Sequence, residues 1–217
     1  MTSRDPGIRT RKAPTERRQE IVRAAARVGL AEGLECVTLR RIADELGVRP
    51  GLVSHYFPAA DTLVAEAFTS ATLAELDGLL PEEPSGPGHD TPLSTLRRFF
   101  TLIANAEFDN VSRLWLNARH LSRYRPVLRD HVVEQELLWC RRIERLIVAG
   151  TGTGTGTGAE VFRCADPWAA AVRILVAIDG SSAYINTSAD SRAAPLTDLA
   201  RTTAEAELGL PRGSLVT

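Results

Sequence analysis

Between Thr38 and Tyr56, two apolar-periodic stretches of eight residues each are separated only by Gly47 and Val48. Leu39, Ile42, Ala43 and Leu46 recur at three- and four-residue spacing, the repeat of one helical face. Gly47 can take the left-handed backbone that stops this helix, and Val48 turns back towards the core. Arg49 and Pro50 then open a second short helix, because proline fits a first turn where its missing N–H costs nothing. Such a segment can place two short helices across one another at a sharp corner, and little else. Ala43 must be small where they cross. Ile42, Leu46 and Val53 are expected to anchor the pair, leaving Arg49, Pro50, Gly51, Leu52, Ser54 and His55 outward.

The rest of the chain reads as helix as well. Thr15 is expected to cap a first helix bearing Ile21, Ala24, Ala25 and Val28 on one face and ending at Gly33. Thr38 caps the second helix. Asp61 is expected to cap a fourth over 61–80, with Leu63, Val64, Ala67, Phe68 and Ala71 inward. A loop rich in Pro, Gly and acidic residues follows at 81–92. Periodicity resumes at 93–108, 111–124, 126–148, 167–188 and 195–208. The Gly-Thr alternation at 150–158 follows a helix rather than a strand and precedes no Lys, so it reads as a loop, not a phosphate cradle. No segment alternates like a strand. The expected fold is all-α, about nine helices.

The length, 217 residues, suits one large or two small domains. The net charge of −1 hides an asymmetry. Residues 1–56 carry 11 basic and 7 acidic side chains, a net of +4, while 57–217 carry 15 and 20, a net of −5. The balance excludes a uniformly basic coat, and its distribution points the N-terminal part at a polyanion. Of the 26 basic residues 25 are Arg, spread through both parts, so arginine content identifies no contact. No apolar run approaches the roughly 18–20 residues of a membrane span, and residues 2–15 are polar, unlike a signal peptide. A cytoplasmic protein with no membrane partner is expected.

Enzyme chemistry finds no foothold. His55, His89, His120 and His131 form no HExxH pattern, no GxSxG is present, and neither a metal nor a cofactor is expected. Cys36, Cys140 and Cys164 are too few and scattered for a disulfide framework, so reduced, buried thiols are expected.

An exposed helix face bearing Arg49, Ser54 and His55 can hydrogen-bond base edges, and Leu52 can meet a thymine methyl. Thr38 at a helix N-terminus and the Tyr56 phenol can serve phosphates. Over residues 15–68 the helix-1 pattern, Gly33, Thr38-Leu39-Arg40-Arg41-Ile42-Ala43, Gly47-Val48, Gly51 and Tyr56-Phe57 stand at the spacing of the TetR family of transcriptional repressors. The chain is similar to that family's N-terminal DNA-binding domain. The resemblance implies a homodimer on a palindromic double-stranded DNA operator, released by a small-molecule inducer. An activator, or a regulator without a ligand, fits the same motif. By resemblance Thr38, Arg40, Arg41, Arg49, Pro50, Gly51, Leu52, Ser54, His55 and Tyr56 approach DNA. Where many members have a Lys before the fourth helix, this chain has Ala60. More weight therefore falls on Thr38, Arg40, Arg41 and Tyr56, and on Arg4, Arg9, Arg11 and Lys12 as a basic arm. The expected organisation is an arm at 1–14, a DNA-binding domain at 15–58, and a ligand-binding and dimerisation domain at 59–217.

Trp115-Leu116, Pro126 and Ile178-Asp179-Gly180 resemble, more weakly, the subgroup containing the choline-responsive repressor of betaine synthesis. That resemblance implies an aromatic cage for a quaternary ammonium. The cage's second tryptophan falls on Arg119 and its later aromatic on Ser181-Ser182, so a neutral or anionic inducer is expected instead. Candidate ligand residues are Phe100, Ala104, Phe108, Trp115, Arg119, Trp139, Asp179 and Tyr184. Asp179, in an apolar helix, needs a ligand or an internal partner such as Arg119. The small-sided 167–187 helix and the 195–208 helix, with Leu196, Leu199 and Leu208, are the expected dimer faces.

Overall fold

The computed structural model describes residues 13–82, 91–105, 108–152, 161–187 and 196–216. Among the described residues there are nine α-helices and no strand. They are α1 (Pro14–Glu32), α2 (Leu39–Leu46), α3 (Pro50–Tyr56), α4 (Ala60–Leu79), α5 (Pro92–Ile103), α6 (Asp109–Ser122), α7 (Pro126–Gly150), α8 (Pro167–Ile185) and α9 (Leu196–Glu207). Arg4, Arg9, Arg11 and Lys12 of the basic arm, His89 with most of the 81–92 loop, and most of the Gly-Thr run lie outside the described residues.

The corner between α2 and α3 forms as the residues dictate. Thr38 Oγ1 accepts the Arg41 N–H at 3.1 Å, and Gly47 sits at φ 62° in the left-handed region. Ile42, Ala43 and Val53 are fully buried, while Leu46 and Val48 are half-buried. Two caps differ from expectation. The first helix begins at Pro14, whose fixed φ suits a first turn, and the Ala13 N–H donates to Glu16 Oε2 at 3.1 Å; Thr15 lies inside the helix. The fourth begins at Ala60 with Ala59 as its uncapped boundary. Asp61 sits in the first turn, where a carboxylate still meets the positive end of the dipole. The fifth helix stops at Ile103, short of Phe108, and a 3-10 turn at Leu34–Cys36 joins α1 to α2.

One core runs through the chain. Ile21, Ala24 and Ala25 of α1 are buried where α1 packs on α4, whose Leu63, Val64, Ala67 and Phe68 belong to the same cluster. Small residues on α1 let the two axes approach closely. α4 then packs on α7, α7 on α8, and α8 on α9, with α6 touching α1, α4, α7 and α8. Residues after α9 fold back: Arg97 Nε donates to Ser214 O at 2.6 Å and Leu215 N to Glu205 Oε1 at 3.0 Å.

By length and mean hydropathy Pro167–Ile185 reaches the range of a membrane span, a test that a core helix also passes. The reason it escapes a search for continuous apolar runs is that Arg173 and Asp179 interrupt it, and both are ion-paired across helices, to Glu207 and Arg119. Leu208 is 0% exposed, a core residue rather than a dimer contact, whereas Leu199 is 43% exposed.

Candidate functional site

Arg49, Pro50, Gly51, Ser54 and His55 stand exposed on α3 and the residue before it, together with Thr38 and Arg40 at the start of α2. A Cβ added at Gly51 would meet nothing within 4 Å, and its φ is not positive. The chain itself therefore does not require glycine there; a close-approaching partner would. Leu52 and Tyr56 are only half-exposed, and Tyr56 makes an edge contact with His55, ring centroids 5.3 Å apart. Ser54 Oγ donates back to Pro50 O at 3.2 Å, a weak bond that a base edge can replace. Arg41 differs from the rest. Its guanidinium reaches Glu32 at 2.5 Å and Glu45 at 2.9 Å, tying α2 to the end of α1. It serves the corner first, and among the described residues Arg40 stands exposed at this end without an ion pair.

The second feature is a cavity of about 320 Å³ between α4, α5, α6, α7, α8, α9 and the residues after α9. Seven of the eight expected ligand residues line it: Phe100, Ala104, Phe108, Trp115, Arg119, Trp139 and Asp179. Tyr184 does not. It is 61% exposed on the opposite face of α8, because helical phase turns it away from Asp179 and Ser182.

Within the cavity, Arg119 Nε donates to Glu136 Oε1 at 2.8 Å and its terminal nitrogen to Asp179 Oδ2 at 2.6 Å. Its guanidinium carbon lies 5.1 Å from the Trp115 ring centroid, a cation–π contact. The internal pair foreseen for Asp179 is present, and burial still pushes the Asp179 carboxyl above the ordinary aspartate range despite Arg119. The expectation of a neutral or anionic inducer rested on two missing cage aromatics and on the charge of Arg119. Two carboxylates answer that charge, so charge no longer excludes a cation, while the cage aromatics remain absent.

Sequence reasoning missed Glu75. It lies on α4 seven residues after Phe68, on the inward face, and lines the cavity. Its Oε2 is shielded from solvent and finds no hydrogen-bond partner among the described residues. Burial pushes its carboxyl up to about 8, opposed by a hydrogen bond from Trp115 and reinforced by the Asp179 charge. A glutamate at an inward helical position was the available signal. Leu215 and Val216, which also line the cavity, carried none, since no periodicity predicts where a tail folds back. Cys140 is buried beside Trp139, and desolvation raises its thiol, as fits an inert sulfhydryl.

The two features are physically joined. Trp115 packs edge-on to Phe68 of α4, ring centroids 4.9 Å apart. Asn117, between Trp115 and Arg119 in sequence, accepts the Leu34 N–H at 2.8 Å and donates to Glu35 Oε2 at 2.8 Å. The helix that walls the cavity thus holds the turn leading into α2. Asn117→Ala leaves the Leu34 N–H without its acceptor, and a loss of about 1–3 kcal/mol is expected in urea unfolding.

Residues 21–67 match the family model described as bacterial regulatory proteins, tetR family. No curated protein matches the chain. Solved structures share the fold over nearly the whole length. A protein from Rhodococcus sp. described as a TetR-family transcriptional regulator is 24% identical at TM-score 0.66, covering 90% of this chain and 96% of that one. A protein from Saccharomonospora viridis, described as a transcriptional regulator and solved with choline, is 22% identical at TM-score 0.67, covering 88% and 95%. The multidrug binding protein EbrR, complexed with proflavin, is 21% identical at TM-score 0.60, covering 88% and 99%.

Proposed function

We propose that the chain is a ligand-responsive transcriptional repressor, a homodimer that grips a palindromic operator through two copies of α3 and releases it when a small molecule fills the cavity. In this reading residues 15–58 bind DNA, 59–217 bind ligand and dimerise, and the arm at 1–14 adds phosphate contacts. It works in the cytoplasm, where its operator lies. The carrying observation is the continuity of α6. Trp115 and Arg119 wall the cavity while Asn117 holds Leu34 and Glu35. A ligand that shifts α6 acts directly on the turn before α2, and through Phe68 on α4, which packs against α1. Ligand then favours a conformer whose two α3 helices no longer suit half-sites about 34–36 Å apart.

Dimerisation is supported by apolar side chains left outside: Val176 and Tyr184 on α8 and Leu199 on α9. Small molecules bound to two proteins of the same fold support the ligand reading. The test is an electrophoretic shift of palindromic fragments from the gene's own promoter. Arg49→Ala is expected to cost about 1–3 kcal/mol on the specific site and to flatten discrimination between sites. Tyr56→Phe is expected to weaken specific and random DNA alike. Equal loss on both by Arg49→Ala would remove it as a base reader, and no DNA binding by the intact chain would remove the whole reading.

A further inference from the structure

We propose that the cavity takes an organic cation bearing N–H groups on a flat apolar body, and that the Glu75 carboxylate is its counter-ion. This rests on the cavity being the ligand site of the proposed regulator. Aromatic rings stand among aliphatic side chains in the walls: Phe99, Phe100, Phe108, Trp115 and Trp139. They suit a planar body and give it no charge partner. Among the described residues, two polar atoms of the walls are shielded and unpaired, Glu75 Oε2 and Trp139 Nε1. A buried carboxyl oxygen without a partner costs free energy until a polar group reaches it, and a ligand N–H that takes the place of the carboxyl proton satisfies it.

The surrounding charges select a cation over a neutral donor. On α6 stand Arg119 and Asp109, on α7 Glu136 and Cys140, on α8 Asp179 and on α9 Arg201; no titratable side chain of α5 lines the cavity among the described residues. Arg119 is already shared by Glu136 and Asp179, and Arg201 pairs with Asp198 at 2.5 Å. Of these groups it is Asp179 whose charge acts on Glu75, raising its carboxyl, and a cation beside the pair answers both. The Trp115 face is taken by Arg119, so the cation sits at Glu75 and not in an aromatic cage.

With a carboxyl at about 8, roughly nine-tenths of Glu75 is protonated at pH 7 in the empty cavity. Binding a cation ionises it. The proton passes to buffer, and the carboxylate accepts the ligand N–H.

The experiment is isothermal titration calorimetry of the intact protein with 2-naphthamidine at pH 7, in two buffers of different ionisation enthalpy. The expected result is release of about 0.9 proton per site and affinity rising roughly tenfold from pH 6 to pH 7. The neutral isostere 2-naphthamide, the anion 2-naphthoate and N-methylquinolinium, a cation without N–H, are expected to bind at least roughly tenfold more weakly. Glu75→Gln, which has the outline of the protonated side chain and should keep the wild-type circular dichroism, is expected to abolish proton release and the preference for the amidine. Binding that is independent of pH, equal for amidine and amide, tightest for naphthoate, equal for N-methylquinolinium, or indifferent to Glu75→Gln overturns the proposal, as does failure of 2-naphthamidine to bind. Proton-linked binding by a protein that shifts no DNA would leave this proposal standing and remove the regulator. DNA binding relieved only by neutral or anionic compounds would do the reverse.

Discussion

Phe68→Ala is expected to lower the unfolding free energy by about 3–5 kcal/mol, the cost of emptying a buried aromatic site. Phe68 is 0% exposed and belongs to the cluster in which α1 and α4 meet, and its ring supports Trp115 edge-on at 4.9 Å. The neighbours are held by other helices on every side, so the hole collapses poorly. For a chain of this size the midpoint of thermal unfolding should fall by on the order of 10 °C. Phe68→Leu keeps much of the volume and should cost less than about 1.5 kcal/mol. A loss below about 1 kcal/mol for the alanine variant, measured by urea unfolding, would mean that the Phe68 site is not packed as described.

The unfolding free energy is also expected to fall as pH rises from about 5 to 8. Folded protein holds a proton on Glu75 up to about 8, whereas the unfolded chain releases it near 4.5. Between those values the folded state binds more protons, so stability is fully present below 4.5 and is lost as pH climbs through 8. The slope from this one group is at most about 1.4 kcal/mol per pH unit, amounting to a few kcal/mol over the window. Asp179, also raised by burial, adds in the same direction over its own range. Glu75→Gln should flatten most of the slope and leave the variant more stable than the wild type at pH 8. Urea titrations at half-unit intervals of pH decide it: parallel curves for the two proteins would mean that Glu75 is solvated rather than shielded.

These two residues show what pattern could and could not reveal. Phe68 stands in an apolar repeat with Leu63, Val64 and Ala71, and its burial follows from phase alone. Glu75 continues that phase, but a glutamate at an inward position has several fates, including a salt bridge, a turn of the helix, or a cavity. The choice depends on what α6 and α8 bring opposite it. Arg119 makes the same point in reverse. Read by itself it made the ligand site basic, yet Glu136 on α7 and Asp179 on α8 neutralise it from 17 and 60 residues away.

The sequence by itself determined the helices and the corner at Gly47. These depend on interactions within a few residues: side-chain period, a threonine cap, a glycine able to take φ 62°. It also determined that Arg49, Pro50, Gly51, Ser54 and His55 stand outward, because Ile42, Ala43 and Val53 turn the other face to the core; Leu52 is half-buried. Only the tertiary structure decided the character of the cavity. It paired Arg119, stranded Glu75 Oε2, turned Tyr184 to the outside and folded Leu215 back as a wall. Charge and solvation are fixed by neighbours distant in sequence, and no local pattern encodes which carboxylate will meet which guanidinium.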